Sequence, residues 1–408
     1  MSGGVFSISG NENEAMYTAK FIGCLFQENG IHVGGSNSGG SAGIFDQMMG
    51  SRAVFIDTQF RNNYVRATAS DSWADGSIFR AYSHNVESYV DYPTGSNQPY
   101  LPTVFNRCLF KNNYVESNGH ISGVLFNTQQ PLQVTNCLFV DNYAIGNDDA
   151  QGLFRTDPSA DANGLGPTIE FTHNTIANNN GIAELFAGAG FQSDIRFTNN
   201  IIWDNSSPNL MISINDGNVL TASNNILDPN TQGDYVSIDN INLNPKFKNP
   251  SSGNYQLSNN SPAIDAGLPN EIQVDYRGYY RVGTPDIGAY EAGASKYFLT
   301  MADDITEDKD TTFVELDQEL KITVTTGDID GNLISSNEKV TWNVFPNQKY
   351  ARVAVGADTS TAGGTATATV NVTSETRGKG FRFRVEANIG DAFLRSGMYV
   401  IEELVTGA

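Results

Sequence analysis

Nine side chains between residues 73 and 100 have the chemistry to grip a sugar: Trp73, Asp75, Arg80, Tyr82, His84, Tyr89, Asp91, Tyr92 and Tyr100. Flat aromatic faces take the apolar face of a sugar ring, while neighbouring carboxylates, hydroxyls and a guanidinium satisfy its hydroxyl groups. All nine lie in, or just before, residues 80–102, the longest insertion between β-prone runs, and inserted loops on a rigid scaffold are where function concentrates. The bland alternative is that these tyrosines pack the insertion onto the scaffold. A second group, Asp148, Asp149, Asp157 and Asp161, offers enough carboxylate oxygen to hold Ca²⁺, the one cofactor the sequence raises. Here the alternative is a solvated acidic loop. Nucleophilic catalysis finds no support, because His32, His84, His120 and His173 are scattered and none sits in a readable Ser, His and acid set.

The charge balance narrows the partners. Lys and Arg number 24 against 45 Asp and Glu, for a net charge of −21, which opposes long-range attraction to phosphate backbones and anionic lipid. Neutral sugars or a protein surface fit better, and nucleic acid is excluded as an expected partner. No apolar run approaches the roughly 20 residues that span a bilayer.

The scaffold that must carry these groups is written as a repeated phrase. CLFQENG starts at Cys24, TQFRNNY at Thr58, CLFKNNY at Cys108 and CLFVDNY at Cys137, followed by NTIANNN at Asn174, NIIWDNS at Asn200 and NILDPN at Asn225. Each copy is a short β-prone run ending in turn-forming asparagines, as one strand and one corner of a stacked coil would require. A second element, a small residue and an apolar residue before Phe, closes at Phe6, Phe45, Phe79, Phe126, Phe154 and Phe186. Its spacing predicts a parallel β-helix of about seven to nine coils, each burying its inward side chains on the copies above and below. Alternation sends Phe26, Phe60, Phe110, Phe139, Ile176 and Ile202 inward, and Leu25, Gln59, Leu109, Leu138, Thr175 and Ile201 outward. The outward set is a partly apolar stripe that needs a cover, either a long segment of this chain or another subunit.

The three cysteines share one place in the phrase and read as inward apolar plugs with free thiols. The corner residues Asn62, Asn63, Asn112, Asn113, Asn142 and Asn179 read as stacked turn stabilisers.

After Asn230 the rhythm gives way to SPAIDAG at Ser261 and DIGAYE at Asp286. With the repeats, these runs resemble the choice-of-anchor Q proteins of the pectin-lyase-like superfamily over about residues 1–292. The resemblance implies a right-handed parallel β-helix, export and surface attachment. Enzymes of that superfamily cleave acidic polysaccharides, yet the clustered NTD, DD and HG with a downstream RIK of its polygalacturonases are not present, and Asp148-Asp149 has no His-Gly after it. Asp265, Asp275, Arg277, Arg281, Asp286 and Glu291 read as a charged clasp closing the last coil, since removing one partner would strand a buried charge.

Past a linker at residues 292–295, the runs LKITVTT, KVTWNV, ATATVNVT and FRFRVEAN alternate at the strand period. With the turns GDIDGN and TAGG, residues 296–408 resemble the bacterial immunoglobulin-like domains of invasin-type adhesins. GDIDGN opens like a calcium loop but reaches Lys339 where the twelfth-position acid belongs, so it reads as a hairpin turn.

The expectation is therefore an all-β chain, a β-helical solenoid followed by an Ig-like β-sandwich, acting as a non-catalytic extracellular surface or adhesion protein that contacts glycans or a partner protein. The alternatives are a polysaccharide lyase or glycoside hydrolase, and a phage or virion spike component. Because Gly3 to Phe6 already belongs to a repeat, further β-helix coils of a longer exported chain are expected upstream.

Overall fold

The computed structural model describes residues 6–8, 17–33, 39–41, 44–47, 51–67, 73–75, 78–81, 101–119, 121, 123–128, 130–146, 152–156, 168–188, 193–207, 209–210, 219–304, 311–315, 318–327, 332–345, 351–354, 356–372, 382–389, 392–396 and 398–401. The chain divides into two compact units, Met1–Pro269 with Asp286–Tyr290, and Asn270–Pro285 with Glu291–Ala408.

The first unit is a parallel β-helix. Each complete coil visits four sheets in turn, as in Phe45–Gln47, Ser51–Ile56, Gln59–Arg61 and Tyr64–Ala67. Stacked copies make parallel sheets of six, eight, seven and four strands. The eight-stranded sheet counts eight coils, from Tyr17–Ile22 to Val236–Ile238. Register follows the repeated residues: Phe45 pairs with Phe6 and Phe79, Phe79 with Phe126, Phe126 with Phe154, and Phe154 with Phe186.

Phenylalanine columns fill the interior. Phe55 stacks on Phe105 at 4.8 Å, and Phe110 on Phe60 at 4.6 Å and on Phe139 at 4.8 Å. Columns from different sheets meet edge-on, as Phe45 meets Phe55 at 80°. This offset and T-shaped geometry is what the ring quadrupole favours. The inward assignments hold, with Phe60, Phe110, Phe139, Ile176 and Ile202 fully buried and Phe26, in the first coil, partly so.

Two sharp corners turn each coil. Residues at the first, including Asp57, Asn136, His173 and Asn199, and at the second, including Asn62, Asn112, Asp141, Asn178 and Asp204, adopt left-handed backbone with φ of 51–60°. Asn and Asp tolerate this conformation best among residues with a side chain. The residue after each bend points inward. At the second corner Asn29, Asn63, Asn113, Asn142, Asn179 and Asn205 form a ladder, each amide oxygen after that of Asn29 accepting from the backbone N–H and side-chain amide of the asparagine one coil earlier. Only the second asparagine of each pair climbs this ladder. Asn62 and Asn112, expected to stack beside them, supply the bend instead.

The first corner has a matching ladder through Asn174, Asn200, Asn225 and Asn240. The cysteines occupy its earlier rungs. Cys108 donates its backbone N–H to Cys137 Sγ at 3.3 Å, and Cys137 donates its own to Asn174 Oδ1 at 2.8 Å. All three thiols are free, and burial pushes the Cys137 thiol well up from its ordinary value.

The second unit is a two-sheet, mostly antiparallel assembly of the Ig-like kind, in which Thr311–Val314 and Met398–Ile401 pair in parallel. One sheet orders Phe298–Asp303, Glu319–Gly327, Thr365–Val372 and Ala351–Val353, and the other carries Thr311–Val314, Met398–Ile401, Arg382–Ile389 and Val340–Phe345. Inward residues Leu320, Ile322, Val324, Trp342, Val344, Val370 and Val385 fill its core, and Trp342 Nε1 donates to the Asp358 carbonyl at 2.8 Å. Within this unit Asp275 accepts from Arg277 Nη2 at 2.7 Å and from the Glu291 N–H at 3.2 Å, and Arg281 pairs with Glu291 at 2.9 Å. Four members of the expected clasp thus make one network, whereas Asp286 belongs to the first unit and accepts from the Asp265 N–H there.

Candidate functional site

The outward stripe of the seven-stranded sheet is the surface on which a site is built. Leu25 is 57% exposed, yet Leu109, Leu138, Ile201 and Ile226 retain 6%, 4%, 1% and 0%. Over Ile201 and Ile226 the cover is a strap from the same unit. Phe247–Asn249 and Asn254–Leu257 form an antiparallel hairpin closed by Pro250–Ser252, and Gly253 ends that turn in left-handed conformation. Leu257, Ala263 and Ile287 pack with Ile201 and Ile226 into a core of their own outside the coil. Gly288, at φ +100°, lies so close that a Cβ would meet Ile201 Cδ1 at 2.6 Å, and the Ala289 N–H donates to Thr175 Oγ1 at 3.2 Å. Asn199 fastens the strap from the corner, exchanging hydrogen bonds of 2.7 and 2.8 Å with the Leu268 backbone.

Where the hairpin crosses the last strands it leaves a cleft of about 470 Å³, a volume typical of small-molecule sites. Trp203 and Phe247, both half-buried, and the buried Tyr255 supply the aromatic wall. Trp203 fits because its in-register neighbour in the preceding coil is the small Ala177. Asn178 and Asp204, the left-handed bend residues of successive second corners, bring an amide and a carboxylate to the rim, opposite Lys246, Asn244 and Ser251 from the strap. Tyr255 packs edge-on to Phe247 at 5.2 Å. Its hydroxyl donates to Asp141 Oδ1 at 3.3 Å, and the same oxygen accepts from Asn178 at 2.7 Å. Burial, and then the negative charge of Asp141 and Asp204, raise the Tyr255 phenol, so it stays a hydrogen-bond donor at neutral pH. Lys111 lies 3.5 Å from the other Asp141 oxygen, which leaves Asp141 a structural acceptor beneath the cleft.

Of the residues singled out from sequence, Trp73 and Asp75 fall in Trp73–Asp75, a strand pairing with Gly39–Ser41, and nothing of their side chains is described. Arg80 lies in Phe79–Ala81, buried, in register with Asp46 and Asn127. Tyr82, His84, Tyr89, Asp91, Tyr92 and Tyr100 lie outside the described residues, as do Asp148, Asp149, Asp157 and Asp161. Among the described residues no group of three or more His, Cys, Asp or Glu is placed to hold a metal ion, and no helix is long and apolar enough to cross a membrane. The cleft was missed from sequence, though one signal marked it. Trp203 is the aromatic at an outward position where the other copies of the phrase carry Gln27, Arg61, Lys111, Val140, Ala177 and Asp228.

The chain matches no protein-family profile, no curated protein and no solved structure.

Proposed function

We propose that the chain is a non-catalytic extracellular surface or adhesion protein whose β-helix presents a glycan-binding platform, with a neutral sugar ring held in the Trp203 cleft. The observation that carries this reading is the cleft's composition: two half-exposed aromatic side chains beside an amide, a carboxylate, an amine and a hydroxyl, all on rigid coils and a pinned strap. Such a wall takes the apolar face of a sugar, and the rim satisfies its hydroxyls. The net charge of −21 favours a neutral ligand over a polyanion. Among the described residues Asp204 is the one carboxylate in the lining, whereas hydrolysis by the two-carboxylate route needs a pair across the scissile bond. The resemblance to exported, surface-attached β-helix proteins supports an extracellular location for such a platform.

The test is a glycan array followed by calorimetric titration of its best neutral hit. Trp203→Ala should weaken binding at least tenfold, and deletion of residues 82–100 should leave it unchanged. The opposite pattern would move the site to the insertion. Absence of any glycan binding by the intact chain would refute the reading.

A further inference from the structure

The outer face of the four-stranded sheet carries a second aromatic feature, and it ends beside the cleft. Tyr64, Tyr114 and Tyr143 occupy one outward row, their rings stacked at 5.4 and 5.0 Å with interplanar angles of 16° and 4°. Along most of the row the ring faces cover one another, so a sugar could meet only edges there. At one end Tyr64 is closed off: His32 stands edge-on to it with Nε2 3.1 Å from its hydroxyl, and a Cβ on Gly30 would collide with its ring at 2.1 Å.

The other end is open. Among the described residues no ring stacks on the far face of Tyr143, where the in-register residue is the exposed Asn180. The Asn180 side-chain amide donates back to the Asn178 carbonyl at the corner, at 3.3 Å. Gly181, at φ +69°, then lets the backbone fall against Ala144, whose carbonyl oxygen would lie 2.2 Å from a Cβ there. Asn178 lines the Trp203 cleft. Two aromatic faces, Trp203 and Tyr143, therefore flank one corner, joined at the surface by Asn178 and Asn180.

We infer that the ligand of this surface is a linear neutral oligosaccharide of more than one ring, one unit in the Trp203 cleft and the chain passing around the Asn178 corner so that a further unit stacks on Tyr143. This rests on the sugar-binding reading above, and the two can fail separately. Affinity for neutral gluco- and manno-oligosaccharides of increasing length is measured by calorimetry. Wild type should gain about tenfold between the shortest binder and the longer members, in keeping with a base-sized stacking contact on one aromatic ring. Tyr143→Ala should abolish that gain while leaving the shortest binder unchanged, and Trp203→Ala should weaken the whole series. Asn180→Tyr, which adds a fourth rung over the open face and keeps the ladder packed, should remove the gain without loss of folding. If both Tyr143→Ala and Asn180→Tyr track wild type at every length, the second contact is overturned and the cleft stands as a one-ring site. If wild type binds none of the sugars, the sugar reading falls and takes this inference with it.

Discussion

At the scale of single residues, the molecule separates two uses of asparagine that look alike in sequence. The first of each corner pair bends the backbone and faces outward; the second is buried and bonds upward and downward. Asn142 illustrates the second use, accepting from the Asn113 backbone and amide at 3.0 and 2.9 Å while donating to the Phe110 carbonyl at 3.0 Å and to Asn179 at 2.9 Å. Asn142→Ala strands several buried polar groups at once, each costing about 1–3 kcal/mol. Stability should fall by roughly 3 kcal/mol, read from the urea midpoint at unchanged slope. Asn112→Gly, at a left-handed position that glycine adopts freely, should cost no more than about 1 kcal/mol. Equal losses at the two positions would contradict this division of labour.

At the scale of elements, the strap decides which side of the seven-stranded sheet counts as interior. Ile201 points away from the coil and Ile202 into it, yet they are 1% and 0% exposed, because Leu257, Ala263 and Ile287 close over the first. Ile201→Ala should therefore destabilise by about 3 kcal/mol, as an interior residue would, and match Ile202→Ala within about 1 kcal/mol. An unstrapped surface isoleucine would give a change within about 0.5 kcal/mol. Thermal denaturation of the two variants distinguishes these outcomes. The same strap makes the cleft, since Phe247, Tyr255 and Lys246 arrive on it from more than forty residues beyond Trp203 in sequence.

At the scale of the whole molecule, two separate cores imply two separate melting events. The solenoid core runs from Phe45 through Phe110 and Phe197 to Leu227, and the sandwich core centres on Leu320, Trp342, Val370 and Tyr399. A solenoid's stability is close to a sum of nearest-neighbour coil terms, whereas a sandwich melts as one cooperative unit. Calorimetry should resolve two transitions, with Phe110→Ala shifting one and Val370→Ala the other by several degrees each. A single transition moved equally by both substitutions would show that the cores unfold together.

What the sequence determined by itself was everything that repeats. The recurrence of Phe45, Phe79, Phe126, Phe154 and Phe186, and of the CLF phrases, established parallel stacked coils and their inward faces, because a solenoid buries each residue on its own copy and so writes its contacts as periodicity. Alternation in the last hundred residues announced the sandwich because each of its strands buries one face and exposes the other. The outward stripe was legible as a surface in need of cover, and its cover proved to be the strap of the same unit. Only the tertiary structure showed that the strap leaves a cleft at Trp203 and that the corner residues Asn178 and Asp204 line it. Those juxtapositions arise between segments that do not repeat and lie far apart along the chain, so no period records them; they exist only once the hairpin has folded back onto the coils.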